Sequence, residues 1–252
     1  MNAPARGEEF KDDVRRTLAP AAVARLTRRS AGHATLAIAQ DLAVIAAATG
    51  VALAFWPNPL ALVPAVIVIG TRQHALFVVA HDAAHYLLYE SRRLNDFAGR
   101  FCATLAGLSM CTYRVVHRLH HNNLYGALDP DTALHGGYPR GKAYLAKKLA
   151  KDLLGLTAWK TYAYFFGAPA LNSETNVALR PLNDTSPRLR ADARRDRRWV
   201  IGLHLAALGG AAASGVLAEY LVLWILPLAT VVQAILLAWP RPSILEDAEV
   251  AR

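Results

Sequence analysis

HDAAH at residues 81–85 and HRLHH at residues 117–121 are the two stretches that decide how the chain is interpreted. An α-helix brings residues spaced i, i+3 and i+4 to one face, so each stretch presents its imidazole rings in one direction. Imidazole is a common protein ligand for zinc, iron and copper. We therefore predict that the two stretches converge on one metal centre. Its predicted ligands are His81, His85, His117, His120 and His121.

Three other histidines are candidates for additional ligands. His74 lies seven residues before His81 and shares nearly the same helix face, His135 sits in a Gly-rich loop, and His204 lies close to the start of a later apolar segment. For each of them, an ordinary interfacial or packed histidine is the competing interpretation. No catalytic group beyond the metal ligands is predicted.

Three carboxylates are placed to support the histidines. Ligating histidines usually donate their second ring N–H to a carboxylate or a carbonyl oxygen, which fixes the ring and its tautomer. Asp82 lies inside the first stretch, and Asp129 and Asp131 follow the second. We expect these side chains to hydrogen-bond the ligating rings. A surface turn centred on Pro130 is the alternative explanation for the last two.

The composition indicates a membrane protein. Hydrophobic residues make up 54% of the chain, the mean hydropathy is +0.21, and the formal net charge is +9. Four apolar segments are candidates for transmembrane helices, at residues 34–56, 60–80, 199–218 and 220–239. The arginines flank these segments and follow the positive-inside rule, which argues against nucleic-acid binding. Asp41, near the basic end of the first segment, indicates either that the true span starts later or that this carboxylate lies at the headgroup boundary with a partner.

The remaining apolar segments are predicted not to cross the bilayer. If residues 97–111 crossed, the second histidine stretch would emerge on the opposite side from the first, and the two could not share a metal. A lysine at the centre of residues 153–170 favours an interfacial helix instead of a span. The predicted fold is all-α and integral to the membrane, with four transmembrane helices as two hairpins, interfacial helices and a cytoplasmic cap.

At this point the sequence resembles the membrane fatty acid desaturase family, which includes related carotenoid and sterol hydroxylases and ketolases. The resemblance rests on the HxxxH motif at 81–85, the HxxHH motif at 117–121 and the DPD sequence at 129–131. It divides the chain into a basic cytoplasmic arm (1–33), a desaturase-like membrane domain (34–239) and an atypical C-terminal tail (240–252). It also implies that the N-terminus, both histidine motifs and the C-terminus are cytoplasmic.

The resemblance implies two irons, O2 as the oxidant, a lipid or fatty acyl substrate, and an electron carrier such as ferredoxin or cytochrome b5. The expected reaction is the introduction of a double bond. Hydroxylation or ketone formation on a lipid or carotenoid is the alternative within the family. The family has a third histidine motif that this sequence lacks, so a relative that binds at most one metal and is inactive is a further expectation. A membrane protein that handles metal without oxygen chemistry is the alternative from another class.

Overall fold

The computed structural model describes residues 19–26, 28–124, 128–131, 141–171, 178–180, 182–183 and 185–238. Their regular structure is helical apart from one antiparallel pair of two-residue strands, β1 (Ala170–Leu171) and β2 (Ala178–Leu179). The helices are α1 Pro20–Leu26, α2 Ala31–Ala54, α3 Pro59–Ala84, α4 Arg92–Leu105, α5 Met110–Asn122, α6 Gly141–Leu153, α7 Ala158–Phe165, α8 Pro187–Ala213, α9 Leu217–Tyr220, a π-helical turn Leu221–Ile225, α10 Leu226–Ala229 and α11 Val231–Ala238.

Three helical segments in the described part of the chain are long and apolar enough to cross a membrane: α2, α3 and the continuous segment Leu217–Leu236. At 1.5 Å per residue, the 24 residues of α2 and the 26 of α3 extend about 36 and 39 Å, more than the hydrocarbon thickness of a bilayer. The prediction of an all-α protein with helices that could span a membrane is confirmed. The arrangement of four spans as two hairpins stays a prediction.

Helices α2 and α3 cover most of the first two predicted spans, but their ends differ from those of the apolar segments. Helix α2 begins earlier than residue 34, because the Ser30 hydroxyl accepts a hydrogen bond from the His33 amide at 3.4 Å. It ends at Ala54, before the predicted end at residue 56. Helix α3 does not stop at Ala80, and His81 lies in its last turn. Arg72 and Gln73 near its middle bond to neighbouring helices, and α3 continues past them to Ala84.

The bounds of the second predicted hairpin also differ. Helix α8 begins at Pro187, twelve residues before the predicted segment, because the Ser186 hydroxyl caps it through the Leu189 amide at 3.2 Å. It ends at Ala213 since Gly215 adopts a left-handed conformation, with φ of +76°, that closes the helix end. The predicted 199–218 segment is thus divided by a turn. Its apolar part in α8 spans about 22 Å, which is shorter than the hydrocarbon core.

An ion pair joins the first two long helices. Arg72 Nη1 on α3 lies 3.2 Å from Asp41 Oδ1 on α2, and the Asp41 side chain is 8% exposed. This contact answers the question that the sequence raised about a carboxylate inside an apolar segment. A buried carboxylate is costly unless it is paired, so the pair fixes how α2 and α3 are aligned along their length.

The last apolar segment docks on α3 through two close contacts. The Gln73 amide, fully buried on α3, donates from Nε2 to the Trp224 carbonyl oxygen at 3.1 Å. Trp224 lies in the π-helical turn before Pro227, where the regular hydrogen-bond pattern is interrupted. One turn earlier on α3, a Cβ on Gly70 would lie only 2.5 Å from Val231 Cβ, so only glycine permits this approach.

The predicted single segment 97–111 is two helices. Helix α4 ends at Leu105 and α5 begins at Met110, because Gly107 takes φ of +77° and the Ser109 hydroxyl caps α5 through the Thr112 amide at 3.3 Å. This helix–turn–helix returns the chain to the end of α3. The predicted 153–170 helix is likewise shorter than expected, since regular α7 covers only Ala158–Phe165.

Asparagine and glycine residues attach α4 to the end of α3. The fully buried Asn95 donates from Nδ2 to the Ala83 carbonyl at 2.9 Å and accepts from the Leu88 amide at 3.2 Å. A Cβ at Gly99 would lie 2.5 Å from the Ala83 Cβ, so the two helices are in close contact. These contacts set the position from which α5 carries the second histidine motif back to the first.

Candidate metal centre

The end of α3 supplies the first pair of histidines. His81 lies in the last turn of the helix, and His85 is its C-terminal cap, with the His85 amide donating to the His81 carbonyl at 3.3 Å. The two ring centroids are 4.9 Å apart. The spacing of four residues therefore places both rings on one side of the helix end, as the sequence predicts.

Helix α5 supplies the second pair and brings it into direct contact with the first. His117 Nε2 lies 2.8 Å from His85 Nε2 and 3.0 Å from His121 Nε2. One ring nitrogen from each of His81, His85, His117 and His121 lies within 4.8 Å of the others. Nitrogens bound to one metal at about 2.1 Å lie roughly 3 to 3.5 Å apart. The donor set and its spacing therefore fit a transition-metal ion.

The electrostatics favour neutral rings in this four-histidine cluster. Burial, and then the neighbouring histidines His81, His121, His85 and His120, lower the pKa of His117 to about 3. Burial and nearby imidazoles also lower the pKa of His85 and that of His121. A neutral imidazole keeps the lone pair that a metal needs, so the cluster is poised for metal binding at neutral pH.

His120 belongs to a second group. On a helix, residue i+4 is turned by about 40° from residue i and residue i+3 by about −60°, so His121 faces the cluster while His120 turns aside. His120 Nδ1 lies 2.9 Å from Asp129 Oδ1 and 3.5 Å from Asp131 Oδ2. The His120 ring centroid is still only 6.0 Å from that of His117. The five predicted histidines are thus close together, but four of them form one cluster and His120 belongs to a separate group with Asp129 and Asp131.

The carboxylates make the contacts that the sequence analysis anticipated. Asp129 is fully buried beside His120, and its Oδ1 also accepts from the Asp131 amide at 2.9 Å. Asp131 Oδ1 in turn accepts a hydrogen bond from the Tyr164 hydroxyl. Asp82 Oδ1 lies 3.1 Å from His81 Nδ1. Because Asp82 engages Nδ1 of His81, Nε2 is the ring nitrogen with which His81 could bind a metal.

Aromatic residues that the sequence analysis did not single out hold His117 in place. The Tyr113 ring is stacked on the His117 ring, and its centroid lies 5.4 Å from that of Phe77 and 5.5 Å from that of Phe165. Burial raises the pKa of Tyr113. Tyr113 precedes His117 by four residues, so the helical spacing used for the histidines would have found it.

Arg114 links the helices that carry the two histidine pairs. Its Nη2 donates to the Ala83 carbonyl on α3 at 3.1 Å and to Asp96 Oδ1 on α4 at 2.8 Å. Its guanidinium also lies over the ring of Tyr86, 4.4 Å from the centroid, and Tyr86 has a φ of 59°. Nothing in the sequence distinguishes this arginine from its neighbours, so only the structure reveals the role.

Of the three additional histidine candidates, the structure describes two, His74 and His204, and neither belongs to the two groups. His74 is buried on α3, with its ring 6.0 Å from that of Phe77. His204 Nε2 contacts the Thr104 carbonyl at 2.8 Å and lines an apolar cleft of about 380 Å³. His135 lies outside the described residues, as does the predicted tail at 240–252. Metal ligation by any of the predicted residues stays a prediction.

The sequence is similar to one known protein family and to several characterised proteins. The family described as "Fatty acid desaturase" matches residues 57–241, well over half of the chain. Dihydrorhizobitoxine desaturase of Bradyrhizobium elkanii is 29% identical over 79% of the chain and 55% of its own length.

Two other relatives match shorter regions. The sn-1 acyl-lipid omega-3 desaturase (ferredoxin) of Nostoc sp. is 32% identical over 38% of the chain and 27% of its own length. Zeaxanthin 4-ketolase of Chlamydomonas reinhardtii is 30% identical over 42% of the chain and 26% of its own length. The chain therefore spans between about a quarter and about half of the length of these three relatives.

Proposed function

The chain belongs to the fatty acid desaturase family, and we propose that it is a membrane-bound, non-haem iron oxidoreductase that introduces a double bond into the fatty acyl chain of a lipid. The observation that carries the proposal is the convergence of four imidazole nitrogens, from His81, His85, His117 and His121, within 4.8 Å at the end of an apolar helix. Side chains alone cannot remove hydrogen from an unactivated C–H bond, so the reaction needs a redox metal.

The chain's own residues would hold the metal and keep it in place. The four-histidine cluster and His120 are the proposed ligands, and bound iron would supply the reaction of O2 with the acyl chain. Asp129 and Asp131 hold His120 from one side, and Asp82 holds His81. Imidazole ligation leaves positions on iron open for O2. Four histidines in one cluster and His120 in a second group could hold either one iron or two. The number of irons per chain therefore has to be measured.

The proposed partners follow from the relatives and from the charge. O2 is the proposed oxidant, and the Nostoc relative is named for ferredoxin. We propose ferredoxin, or a comparable acidic carrier such as cytochrome b5, as the electron donor of this chain. A net charge of +9 favours association with an acidic protein. The proposed orientation is multi-pass, with the N-terminus, both histidine motifs and the C-terminus in the cytoplasm.

A second reaction within the family is also supported by a specific observation. Two of the relatives are ketolases that are named for carotenoids, zeaxanthin 4-ketolase and beta-carotene 4-ketolase. Both reaction types begin with hydrogen removal from a C–H bond, and the way the substrate is held decides the product. Oxygenation of a lipid or carotenoid is therefore the second candidate function.

Metal analysis is the first test. The full chain, purified in detergent after growth with iron, should contain one or two irons per chain. The double variant H85A/H117A should lose most of this iron, while the matched variant H33A, which removes an exposed imidazole outside both groups, should keep it. Unchanged iron in H85A/H117A would overturn the proposed site. Stoichiometric zinc or copper without O2 consumption would favour a metal-handling protein instead.

Product analysis is the second test. Membranes that contain the chain are supplied with ferredoxin, its reductase, NADPH and O2, and the lipids are then analysed by mass spectrometry. Loss of two hydrogens from an acyl chain supports desaturation, and gain of oxygen supports the second candidate. The H85A/H117A membranes provide the background. A folded, iron-loaded chain that consumes no O2 above this background would refute both reactions.

A further inference from the structure

A groove of about 630 Å³ lies between α4 and α8, and none of the five histidines predicted as ligands lines it. Helix α4 buries Asn95, Gly99 and Cys102 on one face, and by helical geometry the groove lies on the opposite face. Two contacts between the helices bound the groove. His204 Nε2 lies 2.8 Å from the Thr104 carbonyl oxygen, and Arg100 Nε lies 3.8 Å from Asp196 Oδ1. The side chains that matter for its chemistry are Arg93, Phe97, Arg100, Phe101, Trp199 and Leu203.

The charge of this groove is positive. Arg93 is exposed and forms no ion pair with a residue that the structure describes. The one carboxylate of the lining, Asp96, is neutralised from outside by Arg114, whose Nη2 lies 2.8 Å from Asp96 Oδ1. The guanidinium groups of Arg93 and Arg100 thus give the groove an excess positive charge.

The ion pair between Arg100 and Asp196 is loose, so the Arg100 guanidinium can still bind a ligand in the groove. Asp196 Oδ2 accepts hydrogen bonds from the Ser109 hydroxyl at 2.8 Å and from the Cys111 amide at 2.9 Å. Arg100 reaches the other carboxylate oxygen only at 3.8 Å, and its side chain is 53% exposed. The Asp196 carboxylate thus accepts hydrogen bonds from two donors, and its contact with Arg100 is too long to be a third.

Large apolar side chains form the rest of the groove. Phe97 is 69% exposed and Trp199 is 68% exposed, and Phe101 and Leu203 are each more than two-fifths exposed. Trp199 stands where the arginine-rich half of α8 gives way to its apolar half. Indole rings prefer the boundary between headgroups and hydrocarbon. Along about 18 Å of α4, the groove therefore combines arginines with aromatic and apolar side chains of the kind that suit that boundary.

We propose that this groove binds an anionic phospholipid from the bilayer. The lipid phosphate lies between the Arg93 and Arg100 guanidinium groups, and one acyl chain lies along Phe97, Phe101 and Trp199. Arginine suits the phosphate because its planar donors match the phosphate oxygens. An acidic protein partner would match the charge but would leave the exposed aromatic rings without apolar contacts. The site needs no iron and no redox activity, so it is independent of the proposed function.

Lipid retention by the full chain tests the proposal. The chain is purified in an uncharged detergent and titrated with phosphatidylglycerol or with phosphatidylcholine, and bound lipid is counted by native mass spectrometry. We expect one phosphatidylglycerol to be retained in preference to phosphatidylcholine. The affinity of R93Q/R100Q for phosphatidylglycerol should be about thirty-fold lower, because two arginine–headgroup attractions are lost. Equal retention of both lipids would overturn an anionic site.

A matched control separates the groove from general surface charge. The variant R188Q/R194Q removes the same charge from exposed positions on α8 that do not line the groove. Its affinity for phosphatidylglycerol should stay within about twofold of the unmodified chain, because surface arginines outside the groove add only screened attraction. If both double variants weaken binding equally, the lipid responds to net charge and the proposed site does not exist.

A variant that fills the groove tests whether an acyl chain binds along its apolar side chains. Competition by inorganic phosphate tests whether the bound phosphate belongs to a lipid. Leu203→Trp occupies the groove at a partly exposed position and keeps both arginines, so it should also abolish retention. Inorganic phosphate should not compete, because it lacks the acyl chain. Full competition by inorganic phosphate, with no effect of Leu203→Trp, would identify a phosphate site and overturn the lipid proposal. Displacement of the lipid by ferredoxin would identify a protein-docking surface. If R93Q/R100Q fails to fold, Leu203→Trp decides the question.

Discussion

The ring of Tyr113 lies parallel to the ring of His117, with the centroids 5.2 Å apart and an angle of 11° between the planes. Both residues are buried, and both lie on the face of α5 that meets the end of α3. Tyr113 precedes His117 by one helical turn. The stack therefore fixes the orientation of the imidazole whose Nε2 contacts both His85 and His121.

Tyr113→Ala should lower both stability and iron content. Truncation of a large buried aromatic ring costs about 3 to 5 kcal/mol in soluble cores, and here it also frees the His117 ring to rotate. Tyr113→Phe keeps the stack and should retain the iron content of the unmodified chain. Thermal unfolding in detergent and elemental analysis measure the two quantities. Wild-type iron content in Tyr113→Ala would show that the stack does not position the histidine.

Asp129→Ala should weaken metal binding through His120. The buried carboxylate holds Nδ1 of that ring, and loss of such a partner typically costs 10- to 100-fold in metal affinity. Asp82→Ala serves as the comparison, because the Asp82 side chain is 46% exposed and its contact with His81 competes with water. Metal affinity is measured by competition with a chelator. A larger loss in Asp82→Ala than in Asp129→Ala would contradict this ranking.

Arg72→Leu should destabilise the chain more than Asp41→Leu. The first change leaves a carboxylate that is 8% exposed without its partner, and breaking a buried pair in this way costs about 3 to 5 kcal/mol. The second leaves an arginine that is 35% exposed and long enough to reach toward water. The double variant should be more stable than Arg72→Leu alone. Thermal unfolding in one detergent ranks the three, and equal effects of the single variants would refute the argument.

The proposed orientation predicts a pattern of chemical labelling. Single cysteines at Arg29 and Leu124 should be protected from a membrane-impermeant maleimide in whole cells, and a cysteine at Phe55 should react. All three positions are exposed. The background replaces Cys102 and Cys111 by alanine. Permeabilised cells, where all three cysteines should react, are the control. Reaction at Leu124 but not at Arg29 in intact cells would place the histidines and the N-terminal arm on opposite sides.

The helix spacing in the sequence was sufficient to predict which elements carry the clustered histidines. The i, i+4 pairs of each motif lie on one face, and the structure brings the two pairs together. The spacing was not sufficient to place His120, because an i+3 position lies at the edge of a face and its tertiary neighbour decides its partner. Asp129 is that neighbour, and its role depends on a turn whose path the sequence does not specify.

Helix bounds were the weakest part of the sequence prediction, for a local reason. Hydropathy locates apolar residues, whereas caps and left-handed glycines locate helix ends. Ser186 starts α8 inside a charged segment, and Gly215 ends it before the apolar residues finish. The partner of Asp41 could not be named in advance because Arg72 is one of several polar residues on the neighbouring helix.

The Ala83 carbonyl accepts hydrogen bonds from both Asn95 and Arg114, so one oxygen atom ties the ends of α3, α4 and α5 together. We therefore expect the three helices to tilt together when α3 leans further in a thinner bilayer. The distances between the two pairs of imidazoles should then depend little on the thickness of the surrounding membrane.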